Sequence, residues 1–126
     1  MELDRLLADL SQPRAYPFPV RHIEVRQTHI SAVFLADGYA YKIKKPVDLG
    51  FLDFRDLDRR RYFCEEEVRL NGRLAHNVYL GVVPVTRTEA GAQFEGPGPA
   101  VEWAVKMRRL PDAATLESRL ERGEIR

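Results

Sequence analysis

The dipeptide Asp37-Gly38 lies between two segments that read as strands, Ile30 to Ala36 and Tyr39 to Lys45. A type I′ turn needs positive φ at both central positions, and Asp-Gly is among the few pairs that accept it. The two segments are therefore committed to an antiparallel hairpin. Upstream, His22 to Thr28 alternates, with Ile23 and Val25 on one face, and adds a strand to make a meander. Pro46 ends the third strand.

Further along, a loop over Val47 to Phe54 leads into a long helix, Arg55 to Ala75, with Asp53 as its expected N-cap. Val82 to Thr88 and Ala100 to Arg108 read as two more strands joined by a glycine- and proline-rich turn, Gly91 followed by Gly96-Pro97-Gly98-Pro99. Leu110-Pro111-Asp112 punctuates the chain before a helix over Ala113 to Arg122 with Gly123 as its C′ residue. At the other end, Leu3, Leu6, Leu7 and Leu10 form one stripe of a short helix over residues 2–11, and Pro13, Pro17 and Pro19 keep the next stretch extended. The expected fold is α+β: a five-stranded antiparallel sheet with one long packed helix, plus the N-terminal helix. Three segments follow: a helix and proline-rich stretch over 1–21, the sheet with its helix over 22–110, and the opening of a further unit over 111–126.

The third strand places Ala40, Lys42 and Lys44 on one face and Tyr39, Tyr41 and Ile43 on the other. The long helix carries Glu65, Glu66 and Glu67, which are not equivalent. Glu65 has Arg61 and Arg69 four residues away, and Glu66 has Arg69 three away, so both fit exposed helix-surface pairs. Glu67 instead shares a mostly apolar face with Phe63, Cys64, Leu70, Asn71 and Leu74. A carboxylate on a core-facing stripe is costly unless paired, and the sheet beneath offers a lysine. A Lys42–Glu67 pair is the central expectation. The alternatives are lysines on a solvated face and a glutamate reaching water at the helix edge. The N-terminal leucines are expected to cover the opposite face, over Tyr39, Tyr41 and Ile43.

Other candidates are weaker. His22, His29 and His76 lack metal-ligand spacing, so no metal site is expected. Cys64 is the single cysteine, which excludes a disulfide framework; it reads as a packing residue. Arg59-Arg60-Arg61 reads as a solvated helix face. With 20 basic and 19 acidic side chains the net charge is +1, which argues against a nucleic-acid surface. No apolar run is long enough for a membrane span, and a cytoplasmic protein is expected.

Three antiparallel strands, a lysine on the third, a helix with an inward glutamate and then two strands is the layout of a protein-kinase small lobe. Tyr39-Ala40-Tyr41-Lys42 falls where kinases carry Val-Ala-Ile-Lys. The chain resembles the aminoglycoside phosphotransferase-like family, more narrowly the bacterial subfamily often fused to a P-loop ATP-binding domain. The resemblance is carried by Thr28-His29-Ile30-Ser31, Tyr41-Lys42-Ile43-Lys44-Lys45-Pro46-Val47, Gly50-Phe51-Leu52-Asp53-Phe54, Cys64-Glu65-Glu66-Glu67, Tyr79-Leu80-Gly81-Val82-Val83-Pro84-Val85 and Val105-Lys106-Met107-Arg108-Arg109-Leu110-Pro111.

The resemblance implies that Lys42 holds ATP phosphates and that Glu67 orients it. It places the loop carrying Thr28, His29 and Ser31 over the phosphates, although no glycine lies between Val25 and Asp37. Met107 would back the adenine pocket, with Arg108, Arg109 and Leu110 as the hinge. The catalytic aspartate and the Mg²⁺ loop belong to the family's larger lobe, and no His-x-Asp loop occurs here. The expectation is an ATP-binding N-terminal lobe without catalytic residues of its own, a fragment of a kinase of a small hydroxylated molecule. Its partners would be the larger lobe and a P-loop domain. The competing expectation is a non-catalytic nucleotide-binding or protein-interaction module.

Overall fold

The computed structural model describes residues 3–46, 55–73 and 77–109. Helix α1 spans Leu3–Leu10 and is followed by a single 3₁₀ turn at Pro13–Ala15, where the missing proline N–H costs nothing. Strands β1 (Ile23–Gln27), β2 (Ser31–Ala36) and β3 (Tyr39–Lys44) form the expected meander. Asp37 takes φ 50° in the β2–β3 turn but Gly38 is not at positive φ, so the hairpin forms without the expected type I′ geometry. The Asp37 carboxylate accepts the N–H groups of Arg21 and His22. The turn thereby also closes the entry to β1. Helix α2 runs Leu57–Asn71, and β4 (Tyr79–Thr88), β5 (Gly91–Phe94) and β6 (Ala100–Arg108) complete the order.

All six strands make one antiparallel sheet in the order β1-β2-β3-β6-β4-β5. This corrects the five-stranded sheet with one long helix, and with it the small-lobe layout read from the element order: the fold is α+β with two described α-helices and six strands. The extra strand, β5, hid in the glycine-rich turn because it is four residues long and starts at a glycine with φ 121°. Thr88 closes the β4–β5 turn: its Oγ1 accepts from Ala90 N at 3.2 Å and donates to Gly91 O at 3.2 Å.

The bounds of α2 also differ from expectation. Asp56 is its N-cap, accepting from Asp58 N at 3.2 Å, and Gly72 N closes the last turn on Val68 O at 2.9 Å. Asp53, Leu74 and Ala75 lie outside the described residues, as do Leu110 and the helix expected over Ala113 to Arg122.

The sheet has a core on each face. On one, Leu6, Leu10, Ala15 and Tyr16 pack with Phe34, Tyr41, Ile43, Val85 and Phe94, with Leu3, Leu7 and Tyr39 at the margin. Tyr41 and Phe94 stack at 4.2 Å, and the Tyr16 hydroxyl donates to Leu10 O at 2.7 Å. The N-terminal leucine stripe thus covers the face bearing Tyr39, Tyr41 and Ile43. On the other face, Val33, Leu35, Ala40, Val105 and Met107 meet Cys64 and Val68 of α2. No described helix is long and apolar enough to cross a membrane.

Candidate functional site

The period-two alternation of β3 sends Lys42 and Lys44 to the α2 side of the sheet. Lys42 is paired with Val33 on β2 and Val105 on β6, both apolar and buried, and Lys44 is paired with Ser31. Above them, Arg60, Cys64, Glu67, Val68 and Asn71 recur at helical spacing along one face of α2. Glu67 comes down over the two lysines. Its Oε1 accepts from Lys44 Nζ at 2.9 Å, and its Oε2 lies 3.6 Å from Lys42 Nζ.

These groups are largely withdrawn from water: the Glu67 side chain is 11% exposed, Lys44 12% and Lys42 21%. Burial pushes the Glu67 carboxyl up, but the Lys42 and Lys44 ammoniums outweigh it and hold the group below the usual carboxylate range. Glu67 is therefore charged at neutral pH, and a single carboxylate orients two ammoniums on one half-buried face.

The expected Lys42–Glu67 pair is present at 3.6 Å, but the closer partner is Lys44. Sequence reading put both lysines on one face and followed only the one that the kinase motif marks. Cys64 is fully buried in the α2 core, and burial pushes its thiol up to about 12. That favours packing over nucleophilic chemistry.

The Thr28–Ser31 turn lies at the Lys44 end of the sheet, since Ser31 is the partner of Lys44. Its hydroxyls are used within the turn. Thr28 Oγ1 accepts from Ile30 N and Ser31 N and lies 3.0 Å from Ser31 Oγ. Ser31 is buried, while His29 and Ile30 are exposed. Met107 is buried beside Ala40 and Tyr79 on the α2 side of the sheet. Arg108 is exposed, and its N–H donates to Val78 O at 2.7 Å; Arg109 N donates to Gly38 O at 2.7 Å. The N–H groups of Arg108 and Arg109, expected as a hinge, are thus engaged within the fold. Leu110 lies outside the described residues.

One ion pair was missed altogether. Arg60, expected on a solvated face, is buried, and its Nε donates to both Glu102 carboxylate oxygens, at 3.0 and 2.9 Å. Burial pushes the Glu102 carboxyl up against the opposing pull of Arg60. The signal was available: Arg60 stands four residues before Cys64 on the inward stripe, and Glu102 interrupts an apolar strand. Among the described residues, no cluster of three His, Cys, Asp or Glu side chains could hold a metal ion.

The uncharacterized protein Rv2004c of Mycobacterium tuberculosis is 39% identical to this chain over 101 residues, which are 80% of the chain and 19% of that protein. The uncharacterized protein Mb2027c of Mycobacterium bovis matches to the same extent. The chain spans about a fifth of the length of the curated relatives it matches. No family model matches the chain, and no solved structure does.

Proposed function

We propose that this chain is an N-terminal nucleotide-binding segment, on a six-stranded sheet, of an aminoglycoside phosphotransferase-like, ATP-dependent kinase of a small hydroxylated molecule. The observation that carries the reading is Glu67 holding Lys42 and Lys44 together on a half-buried face. A carboxylate that fixes an ammonium beside a sheet surface prepares it to meet phosphate oxygens at little further ordering cost. The ATP phosphates are the part of the cofactor that the described residues fit, with Lys42 as the principal contact and Lys44 beside it. Met107, buried two positions along β6 from the Val105 partner of Lys42, would back the adenine. Thr28 and Ser31 shape the turn at the phosphate end, their hydroxyls being engaged with each other.

The catalytic aspartate, the Mg²⁺ ligands and the hydroxylated substrate are assigned to the larger lobe, outside this chain. Relatives about four times longer leave room for that lobe and for a P-loop domain. Such an enzyme would work in the cytoplasm, where ATP is supplied.

The test is calorimetric titration with MgATP of the wild-type chain, Lys42→Ala and, as a control on the opposite face, Lys106→Ala. Loss of one charged phosphate contact weakens binding about ten- to a hundredfold. The proposal expects that loss for Lys42→Ala alone. Equal affinities for all three proteins would refute it.

A further inference from the structure

Helix α2 rests chiefly on β6 and β4 and reaches β3 at only a few points, among them the Glu67 contact with Lys42 and Lys44. Its first two turns are tied to β6 by three side chains. Arg60 holds both Glu102 oxygens, the Arg61 guanidinium lies 4.3 Å from the centre of the Trp103 ring, and Cys64 Sγ approaches Trp103 O at 3.9 Å. Glu102 is itself held, since its Oε1 also accepts Trp103 N at 3.0 Å.

We propose that the buried Arg60–Glu102 pair is a positioning device that fixes the rotation and axial setting of α2 on β6, so that Glu67 is delivered to the two lysines. Glu67 stands seven residues after Arg60, about two helical turns, so the two side chains share a face and a rotation at one is passed to the other. The apolar contacts of Cys64 and Val68 hold the helix down but are non-directional, and they leave its rotation loosely set. A charge-assisted hydrogen-bonded pair supplies the direction. Replacing a buried ion pair with apolar residues often leaves stability unchanged or raised, so stability alone does not account for this pair. Arg60 and Glu102 touch neither lysine in any described contact. They act through α2, and their role rests on the nucleotide-binding reading only for its consequence on ATP affinity.

The test uses the full chain and the double variant Arg60→Met/Glu102→Leu, which removes both charges while keeping apolar bulk. Two readouts are taken: the titration of the Glu67 carboxyl carbon by NMR, and MgATP affinity. The expected result is a folded protein in which Glu67 titrates at least about half a pH unit higher, because its lysines are less well placed. Affinity should fall about tenfold, the effect of losing one well-oriented charged contact. If the double variant does not fold, Glu102→Gln, which keeps an acceptor for Arg60 but weakens the pair, is read for the same rise. A folded variant with Glu67 titrating as in the wild type overturns the positioning role, whatever its ATP affinity. The Glu67 readout needs no nucleotide, so a wild type that ignores ATP refutes the phosphotransferase reading and leaves this one standing.

Discussion

Lys44 and Glu67 are joined by a 2.9 Å hydrogen bond between β3 and α2, whereas the lysine marked by the motif, Lys42, lies 3.6 Å from the other carboxylate oxygen. The two contacts divide the work. Lys44 anchors the carboxylate, and the longer contact orients Lys42 without binding it as closely. Both ammoniums act on the Glu67 charge, Lys42 first and Lys44 beside it.

That division makes Glu67 a stability element with a defined pH window. Its folded-state pKa lies below the unfolded value of about 4.3, so its contribution is fully present at neutral pH and is lost as pH falls through the folded pKa. Glu67→Gln should destabilise the fold by about 3 kcal/mol at pH 7, since both ammoniums lose a buried counter-charge. Urea unfolding should show the difference between wild type and variant shrinking as pH falls below the ordinary carboxylate range. A constant difference from pH 7 to 3 would contradict the assignment.

On the other face the phenols of Tyr16 and Tyr41 are held neutral. Burial pushes both pKa values far above the ordinary value of about 10, and for Tyr41 the Glu95 carboxylate, 2.8 Å from its hydroxyl, adds to the effect. In the unfolded chain these phenols ionise near pH 10, so stability should fall as pH rises beyond that point. Alkaline ultraviolet titration should find them ionising together with unfolding, and Tyr41→Phe should blunt the loss.

The N-terminal helix should behave as part of the core. Leu10 is fully buried against the Tyr16, Tyr41 and Phe94 cluster. Leu10→Ala should cost about 2–4 kcal/mol in thermal or urea unfolding. A change within about 0.5 kcal/mol, the range of an ordinary surface substitution, would show that α1 is not docked there.

Cys64 should be silent in the native protein. Its thiol is fully buried and raised to about 12, so almost no thiolate exists at pH 8. A disulfide reagent should modify it at full rate only in guanidinium; rapid native labelling would contradict the buried placement.

The parts of the molecule that repeat with a short period were legible. The Asp37-Gly38 turn, the alternation of β1 and β3, the leucine stripe of α1 and the inward face of Glu67 all follow from side-chain direction along one element. What escaped depended on pairing between distant segments. Gly91 to Phe94 is short and glycine-led, and becomes a strand only because β4 and α1 lie beside it. Arg60 looks like surface in a run of three arginines, and its burial is explained by Glu102, 42 residues away. The Thr28 and Ser31 hydroxyls, in the loop expected over the phosphates, lie within 3.0 Å of each other, a contact that only the turn geometry reveals. Lys44 was visible but passed over, because the family motif points to Lys42.

The central claim is that the Glu67 face receives the phosphates of ATP, and nuclear magnetic resonance of the labelled chain tests it most directly. MgATP is titrated in while the ε-carbon signals of Lys42, Lys44 and Lys106 and the carboxyl carbon of Glu67 are followed. The expected result is saturable movement of Lys42, Lys44 and Glu67 with one dissociation constant, while Lys106, seated over Tyr39 on the opposite face, stays in place. Signals of Lys42, Lys44 and Glu67 that stay fixed at saturating nucleotide would contradict it.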